Sequence, residues 1–122
     1  MPRTVIAIVD DMFFVSKIQA TAKAVGAIVR FPRTLNAARE TVSEDIPDLV
    51  VVDLHNQKLN PLELARELKT DERLQRVPLL GFFSHVQAEL QKQAVEAGYD
   101  QILPRSVFAR DLADILAGSS KT

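Results

Sequence analysis

Two apolar runs in this chain end in acid. Val5-Ile6-Ala7-Ile8-Val9 leads into Asp10-Asp11, and Leu49-Val50-Val51-Val52 leads into Asp53. Neither run alternates with polar residues, the pattern of a strand covered on both faces in a parallel sheet. The carboxyl ends of neighbouring strands in such a sheet share one rim, and ligands bind along it. Three carboxylates from two strands are then expected at one spot. Like charges brought together disfavour one another's ionisation, so the cluster requires a counter-charge, usually a divalent cation. Oxygen donors without thiolates point to Mg2+ or a similarly hard ion.

The rest of the chain repeats the alternation of apolar run and amphipathic stretch. The first strand is expected at 4–9. Residues 11–25 carry Phe14, Ile18, Ala22 and Val25 at helical spacing, and Gly26 ends that helix. A second strand is expected at 27–31, followed by a helix over 35–43 capped by Thr34. Pro47 breaks the chain before a third strand at 48–52. Residues 54–60 have loop character, and Asn60-Pro61 then starts a helix over 61–69, with Asn as cap and Pro at the first position. A fourth strand at 79–83, a fourth helix at 86–97, a short fifth strand at 101–103 and a last helix at 107–116 complete the series. Five such units argue a single doubly wound α/β domain over 1–118, a flavodoxin-like (βα)5 arrangement, with a disordered tail at 119–122. Right-handed crossovers, and the need to set the first and third strands side by side, select the strand order 2-1-3-4-5.

Composition narrows the function classes. The 122 residues suit one domain, and 47% apolar content is enough for a core. A net charge of −1 gives no electrostatic case for nucleic acid or an anionic membrane surface. The lack of cysteine removes disulfides, thiolate metal sites and cysteine nucleophiles, and accords with a cytoplasmic protein. No apolar stretch reaches the roughly 18 residues of a spanning helix, and no signal-peptide pattern precedes the first strand. A flavodoxin's hydroxyl- and glycine-rich phosphate loop is absent, because Asp10-Asp11-Met12-Phe13 occupies its place. The Asp-x-Asp of haloacid-type phosphatases is also missing from the first strand end, so a substrate-turnover enzyme is not expected.

Three segments together carry a family resemblance: Ile8-Val9-Asp10-Asp11, Asp48-Leu49-Val50-Val51-Val52-Asp53 and Ala97-Gly98-Tyr99-Asp100. On these the chain resembles the chemotaxis-type receiver domains of two-component response regulators, over nearly its whole length. The resemblance implies that Asp53 accepts a phosphoryl group from a sensor histidine kinase or phosphotransfer protein. It implies that Asp10, Asp11 and Asp53 hold Mg2+, together with the backbone carbonyl of His55. It also implies signalling to a downstream protein, or to a second copy, through the face formed by the fourth helix, fifth strand and fifth helix.

The chain departs from that family at four places. The hydroxyl residue ending the fourth strand falls on Phe83 in an ungapped count, with Ser84 one step further, and the two placements differ by one strand face. The family's lysine falls on Arg105, a wider and planar cation able to pair with Asp53 or with a phosphoryl group. Ser106 stands in place of the following proline, and Ile102 in place of the switch aromatic. These departures leave an alternative open: a pseudo-receiver, a protein-interaction or dimerisation module whose output is independent of phosphate. Simpler roles also exist for single residues. Asp11 suits a helix cap, Ser84 suits a cap of the fourth helix, and Arg105 suits a structural counter-ion. His55 and His85 are two loop histidines whose ordinary role is solvated rather than metal-binding.

Overall fold

Five parallel strands form the sheet of the computed structural model, which describes residues 2–84 and 87–118. They are β1 (Thr4–Ile8), β2 (Ile28–Arg30), β3 (Leu49–Asp53), β4 (Leu79–Phe83) and β5 (Gln101–Pro104), in the order β2-β1-β3-β4-β5. This is the expected α/β topology. The helices are α1 (Met12–Val25), α2 (Leu35–Glu44), α3 (Pro61–Thr70), α4 (Ala88–Ala97), α5 (Arg105–Arg110) and α6 (Leu112–Ala117).

Local chemistry explains most boundaries. Asp11 and Thr34 accept backbone N–H groups at the starts of α1 and α2. Gly26 closes α1 at φ 76°, a conformation that costs glycine little. Asn60 caps α3 with Pro61 behind it. Two expectations are corrected. The loop after β3 contains a 3-10 turn over Gln57–Leu59. The last helix is two helices: the chain turns at Asp111, at φ −98° and ψ 11°, and the Asp111 carboxylate accepts from the neighbouring Arg110 guanidinium at 3.0 and 3.1 Å. The first of these helices also starts earlier than expected, since Pro104 (φ −59°) leads from strand directly into helix. The expected helix start at Val86, His85 and the tail 119–122 lie outside the described residues.

Alternation along the strands divides the core in two. On one face Ile6, Ile8, Val50 and Val52 pack with Ala38, Leu64, Leu68 and Ala94 from α2, α3 and α4. On the other, Val5, Ala7, Val51 and Phe82 pack with Phe14, Ile18, Phe108 and Leu112 from α1, α5 and α6. The strands between them are covered on both sides, hence their unbroken apolar runs. Gly81 suits the close packing here, because a Cβ would lie 2.9 Å from the Leu54 side chain and 3.1 Å from the Tyr99 ring, so one of these would have to shift. The buried Tyr99 hydroxyl donates to the Pro61 carbonyl at 2.8 Å, tying the turn before β5 to the start of α3.

Candidate functional site

The register fixes the rim. Ile8 of β1 pairs with Val52 of β3, so Asp10 and Asp53 lie just beyond adjoining strand ends. Asp53 in turn pairs with Phe82 of β4, and Phe83 with Pro104 of β5, which brings Ser84 and Arg105 to the same edge of the sheet. Phe83 is buried as the last residue of β4, and Ser84 follows it, exposed. Phe83 has no hydroxyl to offer, so Ser84 is the hydroxyl residue at this strand end.

Asp53 is partly buried, and its Oδ1 accepts the His55 backbone N–H at 2.9 Å. Burial raises its carboxyl above the ordinary value, against the lowering effect of that N–H and of the His55 and Arg105 charges. Asp10 pushes in the same direction as burial, so these two carboxylates are close enough to repel. Asp10 itself is exposed.

Asp11 is engaged differently. Its Oδ1 accepts the N–H groups of Phe13 (2.9 Å) and Phe14 (3.2 Å), the helix-cap role that its sequence position allows. Its Oδ2 accepts from Arg105 at 3.0 Å. These contacts hold the Asp11 carboxyl below its ordinary value, with the Phe14 N–H as the largest cause and the Arg105 hydrogen bond next. Direct pairing therefore links Arg105 to Asp11, and Asp53 feels the guanidinium only through space. The cause is geometric: the flat guanidinium lies over the Phe14 ring, 4.6 Å from its centroid, which aims the fork back at the start of α1. Phe14 is itself held by Phe82 (5.2 Å) and Phe108 (5.5 Å), and the latter two rings stack at 4.7 Å. The helical spacing that includes Phe14 gives no sign of its role as a platform for Arg105. The signal, an aromatic three residues past Asp11, is too common to be diagnostic.

The donors fit a hard cation in kind. Asp10, Asp53 and the His55 carbonyl offer oxygen only, and Mg2+ commonly takes one or two carboxylates and keeps several waters. Among the described residues no group of three or more His, Cys, Asp or Glu side chains converges as a metal cage. Both Asp11 oxygens already accept hydrogen bonds, so a metal role for Asp11 is through water or after Arg105 moves. Asn56 is a residue that sequence reasoning did not select. It is 6% exposed, and its Nδ2 has no hydrogen-bond partner among the described residues.

The sequence matches no family model. No curated protein matches it either. The fold, however, has many solved counterparts. Chemotaxis response regulator CheY4 of Vibrio cholerae superposes with a TM-score of 0.83 at 14% identity, over 98% of this chain and 100% of that one. The receiver domain of a sensor histidine kinase from Pseudomonas aeruginosa, with a magnesium ion in its active-site cleft, gives 0.81 at 18% identity over 95% of each chain. The phosphorylated cyanobacterial phytochrome response regulator RcpA gives 0.80 at 19% identity, over 97% of this chain and 91% of that one. The chain thus has the fold of response-regulator receiver domains.

Proposed function

We propose that this chain is a receiver domain in phosphorelay signal transduction, with Asp53 as the phosphoacceptor. The observation that carries this reading is the placement of Asp10 and Asp53 at the adjoining carboxyl ends of β1 and β3. A neighbour of the same fold has a magnesium ion in its cleft and another is phosphorylated, which supports the same chemistry here. The donor would be the phosphohistidine of a sensor histidine kinase or phosphotransfer protein. An Asp53 oxygen attacks phosphorus, the P–N bond breaks, and the imidazole leaves with its electron pair. Burial makes Asp53 a more basic oxygen nucleophile than an exposed carboxylate. Asp10, the His55 carbonyl and, through water, Asp11 would hold Mg2+, which supplies positive charge for the phosphoryl oxygens when bound. Ser84 would donate its hydroxyl to one phosphoryl oxygen, and Arg105 would meet another after leaving Asp11.

The domain would act by contact rather than by substrate turnover. Its output would pass to a protein target, or to a second copy, through the α4, β5 and α5 face. No helix among the described residues is long and apolar enough to cross a membrane, in keeping with a cytoplasmic place for such a relay.

One observation favours the second reading, a phosphate-independent pseudo-receiver. Arg105 is doubly held, by Asp11 and by Phe14, in the position where the resemblance asks for a cation that follows the phosphoryl group. The test is incubation with acetyl phosphate and Mg2+, followed by intact-mass analysis. The expected result is one added phosphoryl group, lost on brief alkaline treatment and absent in Asp53→Asn. An unmodified wild-type chain with both acetyl phosphate and a phosphorylated kinase would select the pseudo-receiver.

A further inference from the structure

Arg105 ties two elements together. It is the first residue of α5, and it reaches the start of α1. Its Nη2 donates to Asp11 Oδ2 at 3.0 Å, and its guanidinium carbon lies 4.6 Å from the Phe14 ring centroid. One turn further along α5, Phe108 meets the same Phe14 ring edge-on at 5.5 Å. The start of α5 therefore grips Phe14 at two points, one at the rim and one in the core. No side chain caps the N-terminus of α5, which leaves Arg105 as its side-chain tie at the rim.

The two grips differ in how easily they break. Phe14 and Phe108 are 4% and 0% exposed, so their contact is held by the core. The side chains of Arg105 and Asp11 are 41% and 39% exposed, and an ion pair in such a place contributes little net stability. Asp11 Oδ1 is taken by the Phe13 and Phe14 N–H groups. Oδ2 is the oxygen left for a cation, and Arg105 occupies it. A guanidinium and a divalent ion drawn to one carboxylate repel each other.

We infer that Arg105 is a latch between α5 and α1, closed on Asp11 and Phe14 and released when Asp11 is shared, directly or through water, with a divalent cation. The inference rests on the reading of the rim as a cation site. Release removes the rim grip and keeps the core grip, so the first turn of α5 loosens while Phe108 stays in place. Linkage makes the effect reciprocal: the seat on Phe14 weakens the cation by the factor by which the cation weakens the seat. Occupancy of the rim is thereby coupled to α5 without an aromatic in β5, where Ile102 stands.

The test is an NMR titration of the full chain with Mg2+, without phosphodonor. The amides of Asp10 and His55 report the ion, and the Arg105 Nε–H and δ-proton signals report the seat through the ring current of Phe14. The expected result is that the Arg105 signals move to ordinary arginine positions in step with the Asp10 shifts, while hydrogen exchange at the α5 amides speeds up. Phe14→Leu keeps an apolar side chain and removes the platform. It should tighten Mg2+ about two- to fivefold, the effect of one partly exposed cation–π contact. Arg105→Gln should tighten Mg2+ by at least as much and make α5 exchange fast with or without the ion. Arg105 signals unmoved at Mg2+ saturation, α5 exchange unchanged, or equal Mg2+ affinity in Arg105→Gln would each overturn the latch and leave the cation site standing. No Mg2+ binding to the wild type or to Arg105→Gln would overturn the cation site and the latch with it.

Discussion

At the scale of single residues, the site is a division of labour between two aspartates of opposite character. Asp11 is stabilised as an anion by two backbone N–H groups and Arg105, whereas Asp53 is destabilised as an anion by burial and by Asp10. The two have opposite linkage to stability. A carboxyl whose folded-state pKa is raised stabilises the fold at pH below its unfolded value and loses that contribution as pH rises through the folded one. Ionised Asp53 therefore opposes folding at neutral pH. Asp53→Asn keeps an oxygen for the His55 N–H and removes the charge, so it should raise the melting temperature by a few degrees at pH 7. The difference should vanish in acid below both pKa values; thermal melts across pH check this, and destabilisation at pH 7 would contradict it. Asp11 has a lowered pKa, so Asp11→Ala should lower the melting temperature at pH 7 and lose that effect as pH falls through the folded-state value. Arg105→Ala should free Asp11 Oδ2 and remove a positive charge from the rim, strengthening Mg2+ binding several-fold in an NMR titration.

At the scale of elements, the aromatic stack under Arg105 joins α1, β4 and α5. Phe108 is fully buried and stacked on Phe82. Phe108→Ala should cost about 3–5 kcal/mol in denaturant unfolding, as large-to-small core changes of this type do. It should also loosen Phe14 and hence the seat of Arg105, visible as altered shifts at Asp11. Tyr99→Phe, which leaves the Pro61 carbonyl without its side-chain donor, should cost about 0.5–1.5 kcal/mol. The strands and most helices were legible in the sequence because their signals are local: unbroken apolar runs, Asn60-Pro61, Thr34, and Gly26 and Gly98 at helix ends. The break at Asp111 was not, since no proline or glycine marks it and it leaves the apolar periodicity intact. The candidate site was legible as a set of residue types at strand ends. The partner chosen by Arg105 was not, because a side chain 94 positions from Asp11 picks its carboxylate by reach and stacking that periodicity does not encode. Asn56 escaped for the same reason: a polar residue in a polar loop carries no sign that it will be buried.

At the scale of the whole molecule, the topology β2-β1-β3-β4-β5 puts the candidate groups on one rim. The function proposed for this rim has two parts, phosphoryl transfer to Asp53 and signalling by contact with a partner. The central claim concerns the first of these, and the most direct measurement is an amide NMR titration with Mg2+ followed by beryllofluoride, a stable mimic of an aspartyl phosphate. The account predicts Mg2+ shifts at Asp10 and His55, then a beryllofluoride response at Asp53, Ser84 and Arg105 that spreads into α4 and β5, all absent in Asp53→Asn. Spectra unchanged by both additions would contradict it and leave a receiver fold that signals by binding alone.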